Sequence, residues 1–252
     1  MEDYIYYYLN YLVESGFDIV FVSNSEIQEY DQVRLTKLCK RIIEKDNAGL
    51  DFSGYKVGLS TEDYGRNYDN LLLTNVSIYG PLFPIQKIIK EMERFDFWGL
   101  AESYEQAYHL QSFFLYFNRK VTASEVWQTF WNEVRELENK EEIVSSYEIG
   151  LSRRLIKSSL FNYSSLIKHV ELAKYIKKLN GNYFAEGVAN HNRFNYTLYY
   201  WDLLIEKYNF PFLKKTLIDR SAHWKESGII SRHWKSVIEQ NTSYPVNLIK
   251  EE

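Results

Sequence analysis

The sequence predicts an α/β protein, a mixed Rossmann-like sheet flanked by helices and followed by a helical C-terminal region. Three observations carry this. Short apolar runs of strand length alternate with helical patterns up to about residue 120, the alternation that builds sheets with right-handed crossovers. Polar residues collect where the apolar runs stop, as at Ser23-Asn24-Ser25 and Thr74-Asn75-Val76-Ser77. Beyond that point the pattern turns helical.

Each element has a local reason. Residues 3–15 read as a helix ending near Gly16. Asp18 to Val22 (DIVFV) is apolar, β-rich and bounded by serines and asparagine, so it reads as a strand. Residues 27–39 read as a helix, and Arg41 to Glu44 as a short strand. Gly49 to Gly54 reads as a turn, with Tyr55 beginning a short helix. Leu71 to Leu73 belongs to a third strand. Pro84 precedes the amphipathic stretch IQKIIKEMER, at a position where a helix tolerates proline. Phe97 to Leu100 and Ser112 to Phe117 read as strands; residues 123–138, 144–158, 163–178, 193–207 and 229–239 read as helices. Gly181 and Gly187 mark a loop, and no Pro/Ser-rich linker or internal repeat separates domains. The expected organisation is an α/β core over residues 1–160 and a helical region over 161–252 packed on it.

Composition narrows the function classes. Apolar residues make up 45% of 252, enough for a buried core. No apolar run reaches the length of a membrane span, and the N-terminus lacks a signal-peptide pattern. A cytoplasmic protein, peripheral at the inner face of the cell membrane, is the expectation. The single cysteine, Cys39, excludes an internal disulfide and a cysteine-based zinc site. His169, His191, His223 and His233 lack metal-ligand spacing. N-x-S/T matches at Asn75, Asn162, Asn195 and Asn241 read as chance. Aromatic content is 17%, and 22 of those residues are tyrosines, whose apolar faces and polar tips suit sugar rings and interfaces. The net charge of −4 divides into −11 over residues 1–150 (14 basic, 25 acidic) and +7 over 151–252 (16 basic, 9 acidic). A basic region of this kind reads either as a solvated helical surface or as contact with an anionic membrane; no nucleic-acid partner is expected.

The polar residues of Lys45–Leu100 carry the functional signal. Asn47-Ala48-Gly49-Leu50-Asp51-Phe52-Ser53-Gly54-Tyr55 holds two glycines, which let a ligand approach the backbone closely. Asp51 has a second reading as the N-cap of the following helix. Open α/β sheets bind ligands beyond the carboxyl ends of their strands.

Several motifs resemble, in order, those of the rhamnan synthesis protein F family of polysaccharide-building glycosyltransferases. Asn47, Gly49, Asp51, Phe52 and Tyr55 match its N-x-G-x-D-F-x-x-Y stretch, and Leu73, Asn75, Ser77, Gly80 and Pro81 its L-x-N-x-S-x-x-G-P. Asp96, Phe97, Trp98 and Gly99 match D-F-W-G; His109, Gln111, Ser112 and Phe114 match H-x-Q-S-x-F. Phe130-Trp131, the segment Tyr147-Glu148 with Gly150-Leu151-Ser152, and Pro211-Phe212-Leu213-Lys214 are similar to further family motifs.

The resemblance implies a GT-A-like, nucleotide-sugar-dependent, inverting transferase moving rhamnose or a related hexose to a lipid-linked glycan acceptor, with a carboxylate taking the acceptor hydroxyl proton as the anomeric carbon is attacked. It implies Glu148 as the catalytic base, since YEIGLSRRL resembles the family's acid-bearing segment, with Arg153 or Arg154 as the basic group. It implies donor contacts from Asn47, Gly49, Asp51, Tyr55, Asn75, Ser77, Asp96, His109, Gln111 and Arg153. A divalent metal (Mg or Mn) is part of the same expectation. Many relatives carry Asp where this chain has Val76. Three alternatives follow: Asp51 or Asp96 supplies the metal's carboxylate, basic groups and backbone donors replace the metal, or this copy is a catalytically degenerate module for glycan binding or assembly. Trp98 and Trp131 read as core rather than sugar platforms. The first strand of the usual fold, ahead of the opening helix, is expected to be missing.

Overall fold

The computed structural model describes residues 1–46, 49–61, 67–180, 195–218 and 234–250. The chain divides into two compact units, each assembled from separated stretches. Unit 1 comprises Met1–Ile19, Asn75–Lys90 and Asn195–Glu252; unit 2 comprises Val20–Thr74 and Glu91–Phe194. Neither follows the contiguous 1–160 and 161–252 organisation expected from the sequence.

Unit 1 is built on helix α1 (Asp3–Glu14). Its tyrosine-rich face buries Tyr4, Ile5, Tyr8, Leu9 and Leu12. Tyr4 stands edge-on to Tyr79 with ring centroids 4.8 Å apart, and Tyr8 edge-on to Phe212 at 5.3 Å, the geometry that aromatic quadrupoles favour. Strand β4 (Ile78–Tyr79) pairs antiparallel with β9 (Leu213–Lys214). Two motifs more than a hundred residues apart therefore meet, as Gly80 also packs against Pro211-Phe212. Gly80 has φ +148, and a Cβ there would lie 2.5 Å from both the Pro211 carbonyl oxygen and Phe212 Cδ1. Side chains are excluded on both grounds. Lys215 sits over the Tyr4 ring at 4.9 Å and pairs with Glu2 at 3.0 Å. The unit also carries α4 (Ile85–Met92), whose last residues pass into unit 2, and α10 (Tyr196–Tyr199), α11 (Trp201–Tyr208) and α12 (Trp234–Asn241).

Unit 2 holds the other two sheets. Strands β1 (Val20–Ser23) and β2 (Arg41–Glu44) form a parallel pair, joined through α2 (Glu29–Leu35). A five-stranded mixed sheet contains β3 (Asn70–Thr74), β5 (Phe97–Ser103), β6 (His109–Leu110), β7 (Phe114–Asn118) and β8 (Tyr163–Ile167). β7 runs antiparallel to β3 and β5, β6 antiparallel to β5, and β8 parallel to β5. β5 is buried along its whole length, which explains its unbroken apolar start, FWGLA. Among the described residues the unit also carries helices α3 (Leu50–Ser60), α5 (Arg119–Thr122), α6 (Glu125–Glu133), α7 (Lys140–Ile143), α8 (Ile149–Lys157) and α9 (His169–Asn180). A π-helical turn, Val144–Glu148, links α7 to α8.

The core of unit 2 is aromatic. Phe52 of α3 stacks on Trp131 at 5.9 Å, and Trp127 meets Phe117 edge-on at 4.7 Å. Trp98 and Trp131 are both core residues, as expected, Trp98 stacking on Tyr116.

Three expected elements are corrected. Residues 163–178 are not one helix: β8 precedes α9. The polar Ser164 and Ser165 are buried in the strand; Ser165 is satisfied by Glu102 and by the Ile167 carbonyl. The Gly49–Gly54 turn is also mostly helix, because α3 starts at Leu50 rather than Tyr55. Its N-cap is Gly49, in the left-handed region at φ 74, so Asp51 lies in the first turn and is not the cap. Finally, the expected helix over 123–138 ends at Glu133. Gly181, Gly187, His191, His223 and His233, with parts of the expected helices over 193–207 and 229–239, lie outside the described residues.

Candidate functional site

The residues around Ser112, between β6 and β7, form the polar centre of unit 2. The Gln111 N–H donates to the Ala101 carbonyl at 2.9 Å, holding the segment against the later half of β5. Three side chains then fix its backbone. Glu148 Oε1 accepts the Ser112 N–H at 2.6 Å. The Tyr55 hydroxyl donates to the Ser112 carbonyl at 3.0 Å. Ser152 Oγ accepts the Leu110 N–H at 3.0 Å. Thr74, at the end of β3, donates to the Phe113 carbonyl at 2.9 Å.

Local structure places these groups. The π turn carries one residue more per turn than an α-helix and sits disproportionately at functional sites. Within it Tyr147 points into the core, where its hydroxyl exchanges hydrogen bonds with the Arg135 backbone. Glu148, the next residue, reaches Ser112. On α3, Asp51 and Tyr55 are four residues apart and share a helix face. Gly49 lets the chain turn tightly into that helix; a Cβ there would meet Ser53 Cβ at 2.6 Å. Tyr55 and Glu148 thus meet at Ser112 from two separate elements, next to the backbone of Gln111, while Asp51 lies one turn before Tyr55 on α3. Glu148 Oε2 has no partner among the described residues.

Other expected site residues sit elsewhere. Asp96 precedes β5, at the end of the strand opposite Ser103. Its carboxylate accepts from Lys120 (2.8 Å), Asn118 (3.0 Å) and the Asn162 N–H (2.8 Å). Burial raises its pKa, but those donors outweigh burial and hold it below the usual carboxylate range. That occupancy leaves it poorly suited to a metal. Asp51 is exposed and alone of its kind on α3. Among the described residues no three His, Cys, Asp or Glu side chains converge as a metal cage requires.

His109 and Gln111 are buried, and His109 Nδ1 is taken up by the Ala107 carbonyl at 2.8 Å. Arg153 is exposed on α8, while Arg154 pairs with Glu133. Asn75 and Ser77 lie in unit 1, where Asn75 Oδ1 accepts both the Ser77 hydroxyl (2.6 Å) and its N–H (3.1 Å). The exposed Val76 between them gives its carbonyl to the Tyr4 hydroxyl at 2.7 Å. Asn47 lies outside the described residues.

A second polar group escaped sequence reasoning. Glu102, late in β5, is buried and accepts from Tyr108 (3.2 Å), Ser165 (3.1 Å) and the His169 N–H at the start of α9 (2.7 Å). Burial first, and Glu102 second, push the Tyr108 hydroxyl pKa strongly upward. Burial lowers the His169 imidazole, against the pull of Glu102. The available signal was a lone acid directly after the apolar run FWGLA.

The fold and this polar centre define a mixed α/β protein with a carboxylate held beside a loop next to its central strand. The rhamnan synthesis protein F family matches residues 19–252, and the chain belongs to that family. The chain is 28% identical over 181 residues to the uncharacterized protein y4gN of Sinorhizobium fredii, covering 68% of this chain and 46% of that protein. It is 25% identical over 198 residues to virulence protein VirA of Vibrio anguillarum, covering 73% of this chain and 64% of that one. It thus spans about half to two thirds of these relatives. No solved structure matches. No helix among the described residues is long and apolar enough to cross a membrane.

Proposed function

We propose that this chain is a glycosyltransferase of bacterial surface polysaccharide synthesis. It moves rhamnose or a related hexose from a nucleotide-diphosphate donor to a lipid-linked growing glycan, with inversion, on a GT-A-like fold. The observation that carries this reading is Glu148: one carboxylate oxygen is pinned by the Ser112 N–H at 2.6 Å and the other has no partner among the described residues, in a chain of a family named for rhamnan synthesis.

The chemistry follows from that carboxylate. As the acceptor hydroxyl oxygen attacks the anomeric carbon, Glu148 takes its proton. The bond from that carbon to the diphosphate oxygen breaks, and the diphosphate leaves with the electron pair. A base that is fixed in place contributes through geometry as well as basicity. Asp51, Tyr55 and the Gly49 turn are assigned to the donor side, and no step is routed through a metal. The work would take place at the cytoplasmic membrane face, with basic side chains of the C-terminal region toward anionic lipid.

Calorimetry with a panel of nucleotide sugars, with and without Mn²⁺ or Mg²⁺, tests donor binding. A transfer assay with Glu148→Gln tests the base. A second reading, a catalytically degenerate module for glycan binding or assembly with partner transferases, is favoured by Val76 in place of the family's common Asp. Donor hydrolysis by the wild type in the panel would exclude it.

A further inference from the structure

Where β5 and β8 begin, a hollow of about 300 Å³ is lined by Arg94, Phe95, Phe161, Asn162 and Tyr163. Ser112, by contrast, lies beside the later half of β5. The hollow's rings belong to a longer aromatic run. Tyr163 stacks on Phe97 at 5.4 Å, Phe161 stands edge-on to Phe97 at 6.4 Å, and Tyr108 lies 6.2 Å from Tyr163. Tyr163 remains 37% exposed, so its ring offers area to a ligand.

The polar half of the hollow is held on a fixed backbone. The Asn162 carbonyl accepts the N–H groups of Asp96 (2.8 Å) and Phe97 (3.3 Å), and its own N–H donates to the Asp96 carboxylate at 2.8 Å. The Asn162 side-chain amide, by contrast, has no partner among the described residues. The Arg94 guanidinium rests 4.9 Å over the Phe95 ring and forms no ion pair among them. Asp96 therefore positions Asn162, which gives the D-F-W-G aspartate a role without a metal.

We propose that this hollow is a saccharide subsite that holds a sugar unit of the acceptor glycan. Aromatic faces cover the C–H face of a pyranose, and an amide and a guanidinium reach its hydroxyls. A pocket of this volume lies at the small end of ligand sites, roughly 300–1,000 Å³, as one or two sugar rings require. A phosphate or nucleotide would call for convergent backbone N–H groups or several cations; a single arginine, already over a ring, does not supply them. The proposal rests on the polysaccharide reading above but does not require Glu148 to be the base.

The test uses the full chain, with rhamnose, mannose and galactose trisaccharides as probes in saturation-transfer NMR and calorimetry. The variants are Arg94→Ala and Asn162→Ala, whose side chains are exposed, with thermal unfolding confirming that each folds. At least one trisaccharide should bind the wild type, and each variant should weaken it roughly three- to tenfold, the loss of one hydrogen bond. Affinity for a nucleotide-diphosphate sugar should not change. Equal trisaccharide affinity in wild type and variants, or no binding of any of the three, overturns the proposal. Asn162-dependent trisaccharide binding without any donor binding upholds the subsite and removes the transferase reading.

Discussion

Glu148 Oε1 and the Ser112 nitrogen are 2.6 Å apart, and the N–H points at the carboxylate. The contact joins the π turn to the β6–β7 loop, so the acid has two separable jobs: holding the loop and taking a proton. Glutamine keeps an oxygen for the first and lacks the basicity for the second. Glu148→Gln should lower the transfer rate by about 10²–10⁴-fold with donor affinity and melting temperature close to wild type. Glu148→Ala should lose both activity and loop order. If the Gln variant turns over near-normally, Glu148 is a positioning residue only.

Asp51→Ala should weaken nucleotide-sugar binding while the protein stays folded. Asp51 is exposed in the first turn of α3, and Gly49 rather than Asp51 caps the helix, so removing the carboxylate leaves the helix start intact apart from a helix-dipole contribution of about 0.3–1 kcal/mol. Calorimetric donor affinity, compared with the denaturation midpoint of the same sample, separates the two effects. Unchanged donor affinity would remove Asp51 from the site.

Asp96 should make stability depend on acid. Its folded pKa is depressed by the donors around it, so its contribution is fully present above the unfolded value, about 3.9, and disappears as pH falls through the lower folded value. Asp96→Asn should cost about 1–2 kcal/mol at neutral pH, and the gap to wild type should close in strong acid. Urea midpoints measured across that range check it; a gap independent of pH would assign the loss to packing.

Lys174 and Lys178 are exposed and four residues apart on α9. If that helix faces an anionic bilayer, each contributes about 1 kcal/mol of attraction that salt screens. Co-sedimentation with phosphatidylserine vesicles should rise with anionic lipid, fall with salt, and drop when both lysines are changed to glutamate. Binding insensitive to lipid charge and salt would leave these lysines as a solvated surface.

Much of the unit 2 fold was legible because its signals are local. Arg41–Glu44 matches the strand as read, since its two isoleucines sit between charged residues that end the run. The start of α3 was misread because two glycines suggest a turn, yet Gly54 is tolerated inside a helix whose Phe52 is anchored in the core. β8 was hidden because YSSLI looks polar in isolation; its serines become acceptable only beside Glu102, which the chain places sixty residues earlier. The candidate site was half legible. Glu148 and Tyr55 follow from motif order, whereas their shared partner is a backbone amide and carbonyl, and sequence carries no sign of which backbone groups a side chain will hold. Asp96 was read as a metal candidate because an acid in a motif suggests chemistry, while its three donors come from distant residues.

The interleaving of the two units has a consequence for synthesis. Residues 20–194 contain every stretch of unit 2, so its sheets can close while later residues are still being translated. Unit 1 is in another position: α1 is translated before the rest of the unit, yet the strand that pairs with β4 and the phenylalanine that meets Tyr8 lie at Leu213–Lys214 and Phe212. Between the translation of Tyr79 and that of Phe212 the tyrosine-rich face of α1 therefore waits with Tyr4 partnered but Tyr8 still lacking its ring contact. The nascent chain is open during that interval to chaperone capture or to sticking to its neighbours, and slowing translation between residues 90 and 212 should lower soluble yield more than the same delay placed after residue 250.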